Sequence, residues 1–246
     1  MIISIHSFRG GTGKSNTTAN VAALFAQEGR HVAVVDTDLQ SPGIHVLFGL
    51  DQDGLRGTLN EHLSGRCGIK EAAHDVTPRG LPGRVWLVPA SIKPHDIARV
   101  MHEGYDVGSL NEAFRQLVRD LSLDFLILDT HPGLGEETLL SIAMSNAVAI
   151  VLRPDQQDFE GTKVTVSVAR KLRVPKMVLV VNNTPPMFDL DEVRRRVESA
   201  YGCEVAAVLP HSPELMELSS AGIFALRHPE HSLTALYRDV GRALRS

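Results

Sequence analysis

The stretch IISIHSFRGGTGKSN, residues 2–16, restricts this chain to few architectures. A short apolar-rich run enters a loop with glycines at 10, 11 and 13, and the loop passes directly into helix-forming sequence at Lys14. A strand, a glycine turn and a helix start in that order direct backbone N–H groups into a concavity. The positive end of the helix lies at its floor, which suits phosphate oxygens. Gly10, Gly11, Thr12, Gly13, Lys14, Ser15 and Asn16 are therefore the candidate phosphate-binding residues, with Lys14 reaching the β- and γ-phosphates and the Ser15 hydroxyl binding Mg²⁺. The ordinary GxxxxGK[ST] spacing requires glycine at position 8, where this chain has Phe8.

The rest of the chain repeats the alternation. Apolar runs at 2–6, 31–36, 84–89, 124–129, 147–152, 176–182 and 204–210 are rich in Val, Ile and Leu and lack polar alternation. They read as strands buried on both faces of a mainly parallel sheet. Helical patterns lie between them, at about 14–28, 108–121, 135–145, 158–172, 189–200, 212–221 and 231–245. The expected fold is α/β, a doubly wound, mainly parallel sheet of the P-loop NTPase kind in a single domain over 1–246, with ligands at the carboxyl ends of the strands. Residues 50–83, rich in Gly and polar side chains, are expected to be short helices and loops at the sheet's edge.

Composition narrows the function classes. With 43% hydrophobic and 22% charged residues, 246 residues form an ordinary globular chain, and a net charge of −4 gives no global field drawing it to nucleic acid or anionic lipid. Any such binding needs a local patch. Cys67 and Cys203 make no CxxC pair and no metal set, a usage suited to a reducing compartment. "MIISIH" is too short for a signal's apolar core, and no apolar run reaches the 18 or so residues of a membrane span, so a cytoplasmic location is expected.

Two further segments suit phosphate chemistry. In VVDTDLQSPG, Asp36 and Asp38 lie two apart, so in an extended segment they point the same way, one toward Mg²⁺ and one toward an attacking water. In FLILDTHPGLGEE, Asp129 ends a hydrophobic strand, where a carboxylate would hold magnesium, and Gly133 frees the backbone to approach a γ-phosphate. His131 falls inside this loop and reads as a surface histidine, with a proton-handling group as the alternative.

Taken together, RGGTGKS, the DTDLQ segment and the DTHPG segment resemble the MinD/ParA family of deviant Walker A ATPases, whose loop is written KGGxGK[ST]. Arg9 stands where that family has its signature lysine. The resemblance covers residues 2 to about 225. It implies a homodimer formed around two Mg·ATP, in which Arg9 reaches the partner's phosphates while Lys14 serves its own; the alternative for Arg9 is a salt bridge within its own loop. It assigns water positioning to Asp38 and the magnesium shell to Ser15, Asp36 and Asp129, and it implies slow turnover until a partner protein stimulates it.

VVNNTPP suggests an asparagine reading adenine, either Asn182 or Asn183, with backbone groups after Pro210 framing the base; no NKxD pattern favours GTP. Iron–sulfur relatives use cysteine pairs, which this chain lacks, and kinases of the superfamily end in a tyrosine cluster, whereas Tyr105, Tyr201 and Tyr237 are far apart. A partitioning or positioning ATPase remains, riding non-specific DNA or, less favoured, a membrane; a protein-only switch is the other class. The DNA reading rests on Arg170, Lys171, Arg173, Lys176, Arg194, Arg195 and Arg196, and the membrane reading on the amphipathic segment 231–245.

Overall fold

The computed structural model describes residues 1–51, 55 and 57–246. Its strands are β1 (Ile2–His6), β2 (His31–Asp36), β3 (His74–Asp75), β4 (Arg84–Val88), β5 (Phe125–Asp129), β6 (Ala147–Leu152), β7 (Lys176–Thr184) and β8 (Glu204–Pro210). They form one sheet in the order β3-β4-β2-β5-β1-β6-β7-β8. Every pairing is parallel except β3 with β4, an antiparallel edge within the segment expected to be loops and short helices.

The helices are α1 (Lys14–Gln27), α2 (Ile44–Leu47), α3 (Leu59–Leu63), α4 (Pro94–Glu103), α5 (Val107–Asp120), α6 (Glu136–Met144), α7 (Gln156–Lys171), α8 (Leu190–Tyr201), α9 (Pro213–Leu218), α10 (Phe224–Arg227) and α11 (Ser232–Arg245). The seven expected helices are present within a few residues at each end. α4 was not expected: Pro94 opens it at a position where the missing N–H costs nothing, and only Asp96 and Val100 of it are buried.

Alternation along the strands divides the core. Val32 and Val34 of β2 face one layer, with α1, α2, α10 and α11, whereas Ala33 and Val35 face the other, where α5 packs. β6 does the same, sending Ala149 to the first layer and Val148 and Ile150 toward α7 and α8. This two-sided burial is why the strand runs are continuously apolar. α1 lies at the centre and is buried almost all round from Thr17 to Ala26.

α11 settles one expectation. Leu233, Tyr237, Val240 and Leu244 are buried in the same cluster as Phe25 and Leu209, so its apolar face packs on the protein's own α1 and β8. That face is not available to a bilayer, and the membrane reading loses its basis. No described helix is long and apolar enough to cross a membrane.

Candidate nucleotide-binding site

The carboxyl ends of β1, β2 and β5 meet where the doubly wound sheet leads one to look. Strand pairing sets Asp36 opposite Asp129. The loop after β1 turns through Gly11 (φ 76°) and Gly13 (φ 96°), left-handed conformations that glycine adopts without strain. Gly13 is also the N-cap of α1 and supplies no side-chain cap, so the first N–H groups of the helix stay open toward the loop. A Cβ at Gly13 would lie 2.1 Å from the Asn182 amide nitrogen, which donates to the Thr12 carbonyl at 2.7 Å. β7 thereby pins the glycine loop from the side.

Asp129 is the hub. Its Oδ2 accepts from Ser15 Oγ at 2.7 Å and its Oδ1 from Thr18 Oγ1 at 3.0 Å, while its carbonyl accepts from the Thr37 N–H and hydroxyl. Burial raises its carboxyl to about 6, against the pull of the Ser15 hydroxyl and Lys14. Asp36, fully enclosed, is pushed well above the carboxylate range by burial and then by Asp129, and its Oδ2 has no hydrogen-bond partner among the described residues. Two enclosed carboxyls beside a hydroxyl, with one oxygen orphaned, form an all-oxygen set fit for a hard divalent cation such as Mg²⁺. Lys14 is itself buried.

Asp38 differs from its expected geometry. β2 ends at Asp36, and the chain turns at once, with the Asp38 N–H donating to Asp36 Oδ1 at 3.0 Å. The two carboxylates are joined by a turn rather than aligned along an extended segment. Asp38 Oδ1 accepts from the Ser41 N–H at 2.9 Å and from His131 Nδ1–H at 2.7 Å. His131 is therefore not a free surface histidine; its side chain is 24% exposed and bound to the proposed water-positioning residue. Spacing could not show this, because the two residues are 93 positions apart.

Arg9 stays within its own chain here. Its guanidinium stands 3.7 Å from Asp155 and 3.6 Å from Asp158, at the start of α7. Gly133 (φ 89°) donates its N–H to the Ser7 carbonyl, seating the DTHPG loop against the entry to the glycine loop.

Gly11, Gly13, Asn16, Asn182, Asn183 and Pro210 line one cavity of about 340 Å³, with Leu215, Met216 and Leu218 on its outer wall. A larger cavity of about 620 Å³, between Leu47–Leu50 and Gly222–Arg227, contains none of the glycine-loop residues and lies apart from the carboxylates. The asparagines differ: Asn182 is spent on Thr12, whereas Asn183, at φ 54°, pairs through Oδ1 with His211. Thr18, Thr37 and the α9 residues also belong to the site. Thr18 lies one turn after Ser15 on α1, the only sequence sign that it shares Ser15's face.

The family described as ParA, NUBPL iron-transfer P-loop NTPase, matches this chain over residues 1–245. The chain is a ParA-family P-loop NTPase. An uncharacterized ATP-binding protein of Methanocaldococcus jannaschii is 28% identical over 220 residues, 89% of this chain and 78% of that protein. An iron–sulfur cluster carrier protein of the same organism is 30% identical over 186 residues, 73% of this chain but 59% of its own length. Among solved structures, the septum site-determining protein MinD of Pyrococcus horikoshii, complexed with Mg-ADP, superposes with a TM-score of 0.80 at 22% identity, covering 98% of this chain and 93% of its own. The fold is thus that of MinD and ParA proteins. Cluster carriage is not legible in the cysteines of this ParA-family chain: Cys67 and Cys203 border different core clusters.

Proposed function

We propose that this protein is a nucleotide-switched ATPase that dimerises around two Mg·ATP, engages a surface in that state, and is released on hydrolysis. The observation that carries the reading is the convergence of Ser15, Asp36 and Asp129 beneath the open start of α1, with Asp38 one turn away. The glycine loop and Lys14 would hold the β- and γ-phosphates. Mg²⁺, held by Ser15 with Asp36 and Asp129 behind it, would neutralise charge on the phosphoryl oxygens. Asn182, Asn183 and the segment after Pro210 would border the adenine.

Asp38 would orient a water. The water oxygen forms a bond to the γ-phosphorus as the bond from that phosphorus to the β–γ bridging oxygen breaks. ADP departs with the electron pair, and the water's proton ends on the released phosphate. Arg9, held by two ion pairs at 3.6–3.7 Å and 38% exposed, is weakly tethered. A partner's phosphates, carrying more charge, would draw it across the dimer, so Arg9→Ala should lower turnover more than monomer nucleotide affinity.

The surface favoured here is non-specific DNA. Arg170 reaches the carbonyls of Tyr201 and Gly202, which brings the ends of α7 and α8 together. Arg170, Lys176, Arg194 and Arg196 are engaged within the chain, and Lys171, Arg173 and Arg195 have no side-chain partner among the described residues. Dimerisation would double that smaller patch. Retardation of a DNA duplex in ATP but not ADP, weakening steeply with salt, supports this surface; no binding in either state removes it and leaves a protein-only switch. ATP hydrolysis abolished by Lys14→Ala and by Asp38→Ala is the test of the enzyme itself.

A further inference from the structure

The tie between His131 and Asp38 joins the two loops that flank the reacting phosphate. Asp38 Oδ1 accepts two hydrogen bonds, from the Ser41 N–H at 2.9 Å and from His131 Nδ1–H at 2.7 Å, while its Oδ2 has no partner among the described residues. A carboxylate bonded through one N–H still pivots about its last torsion. A second donor on the same oxygen, arriving from another loop, stops that rotation and leaves the other oxygen presented in one direction.

The donor is well supported. The His131 backbone is fixed on both sides, since the Thr130 N–H before it donates to the Ile5 carbonyl and its own carbonyl accepts from Thr138 Oγ1 at 3.2 Å. The ring also borders a cavity of about 200 Å³ with Leu39, Val100 and Tyr105, so truncating it would leave room for Asp38 to turn away. Nδ1–H can donate whichever charge the ring carries.

We propose that His131 is a positioning residue for hydrolysis: it locks Asp38 so that Oδ2 faces the attacking water. This rests on the hydrolytic reading above and gives a role to a residue of the DTHPG segment beyond its aspartate and glycine. His131 need not touch ATP. Its effect is confined to the orientation of Asp38, and orientation of a reacting water is worth about 10- to 100-fold in rate.

The test compares wild type with His131→Ala, His131→Leu, which keeps bulk without a donor, and His131→Asn, whose amide N–H stands near the place of Nδ1–H. Single-turnover ATP hydrolysis at saturating Mg²⁺ is measured beside the affinity for a fluorescent ATP analogue. The Ala and Leu variants should be slower by about tenfold or more with affinity changed less than about twofold, and Asn should recover most of the rate. Turnover in the Leu variant equal to or above wild type, failure of Asn to recover the rate, or a parallel fall in affinity would each overturn the proposal. If His131→Ala does not fold, the Leu and Asn pair decides alone. A wild type as inactive as Lys14→Ala would overturn the hydrolytic reading and this proposal together; an active wild type with unaffected variants overturns the proposal only.

Discussion

Phe8 lies against Gly161: a Cβ on that glycine would come within 2.0 Å of the Phe8 ring. The residue that breaks the ordinary glycine spacing of the phosphate loop thus has its counterpart on α7, the helix whose start also holds Arg9. Gly161→Ala should displace the ring and lower stability by about 1–2 kcal/mol, despite the better helix propensity of alanine. In a Phe8→Ala background the sign should reverse, with the same substitution stabilising by up to about 1 kcal/mol. Urea unfolding of the four proteins measures both; a cost unchanged by Phe8→Ala would refute the pairing.

Ser15 Oγ donates to Asp129 Oδ2 at 2.7 Å. Replacing it with alanine removes a hydroxyl that would pass to the metal. Nucleotide affinity in Mg²⁺ should fall by about 10-fold or more, while affinity in EDTA should stay near wild type. Equal losses in both conditions would mean that Ser15 serves the loop rather than the metal.

His6, at the end of β1, is enclosed, and its Nδ1 bonds Thr130 Oγ1 at 2.8 Å. Burial lowers its pKa from the ordinary 6.5 to about 3, with Lys14 and His131 adding to the effect. A group depressed in the folded state lends stability that is present above the unfolded pKa and lost as pH falls toward the folded one. Between pH 7 and pH 5 this residue should cost the fold about 2 kcal/mol, which His6→Asn should not lose. Asp129, raised to about 6, acts in the opposite direction but is common to both proteins. Denaturant midpoints at the two pH values give the comparison, and parallel pH dependences would exclude the assignment.

The two asparagines of β7 should separate cleanly. Asn182→Ala orphans the Thr12 carbonyl and should cost about 1–3 kcal/mol of stability together with nucleotide affinity. Asn183→Gly suits the backbone at φ 54° and should leave stability within about 0.5 kcal/mol. If both variants lose stability alike, Asn182 is not the tether described.

Some of this was legible before any coordinate. Short apolar runs rich in Val, Ile and Leu, alternating with helical patterns, pointed to a parallel sheet covered on both faces, and GGTGKS fixed the first loop because few sequences place three glycines before a helix start. α4 was not expected although Ile97, Val100 and Met101 stand at helical spacing, and the edge strand β3 is two residues long, too short to show an alternation.

Within the site, the sequence by itself determined which residue types stand at the ends of β1, β2 and β5, since local chain chemistry dictates glycine turns and strand ends. Only the tertiary structure decided which of them touch. The turn at Asp38 is set by a bond back to Asp36, the His131 ring reaches Asp38 across 93 residues, and Arg9 lies beside α7 in its own chain. The last two arise because β1, β2 and β5 lie side by side in one sheet and α7 packs against that sheet at β6, and separation along a chain carries no record of such proximity.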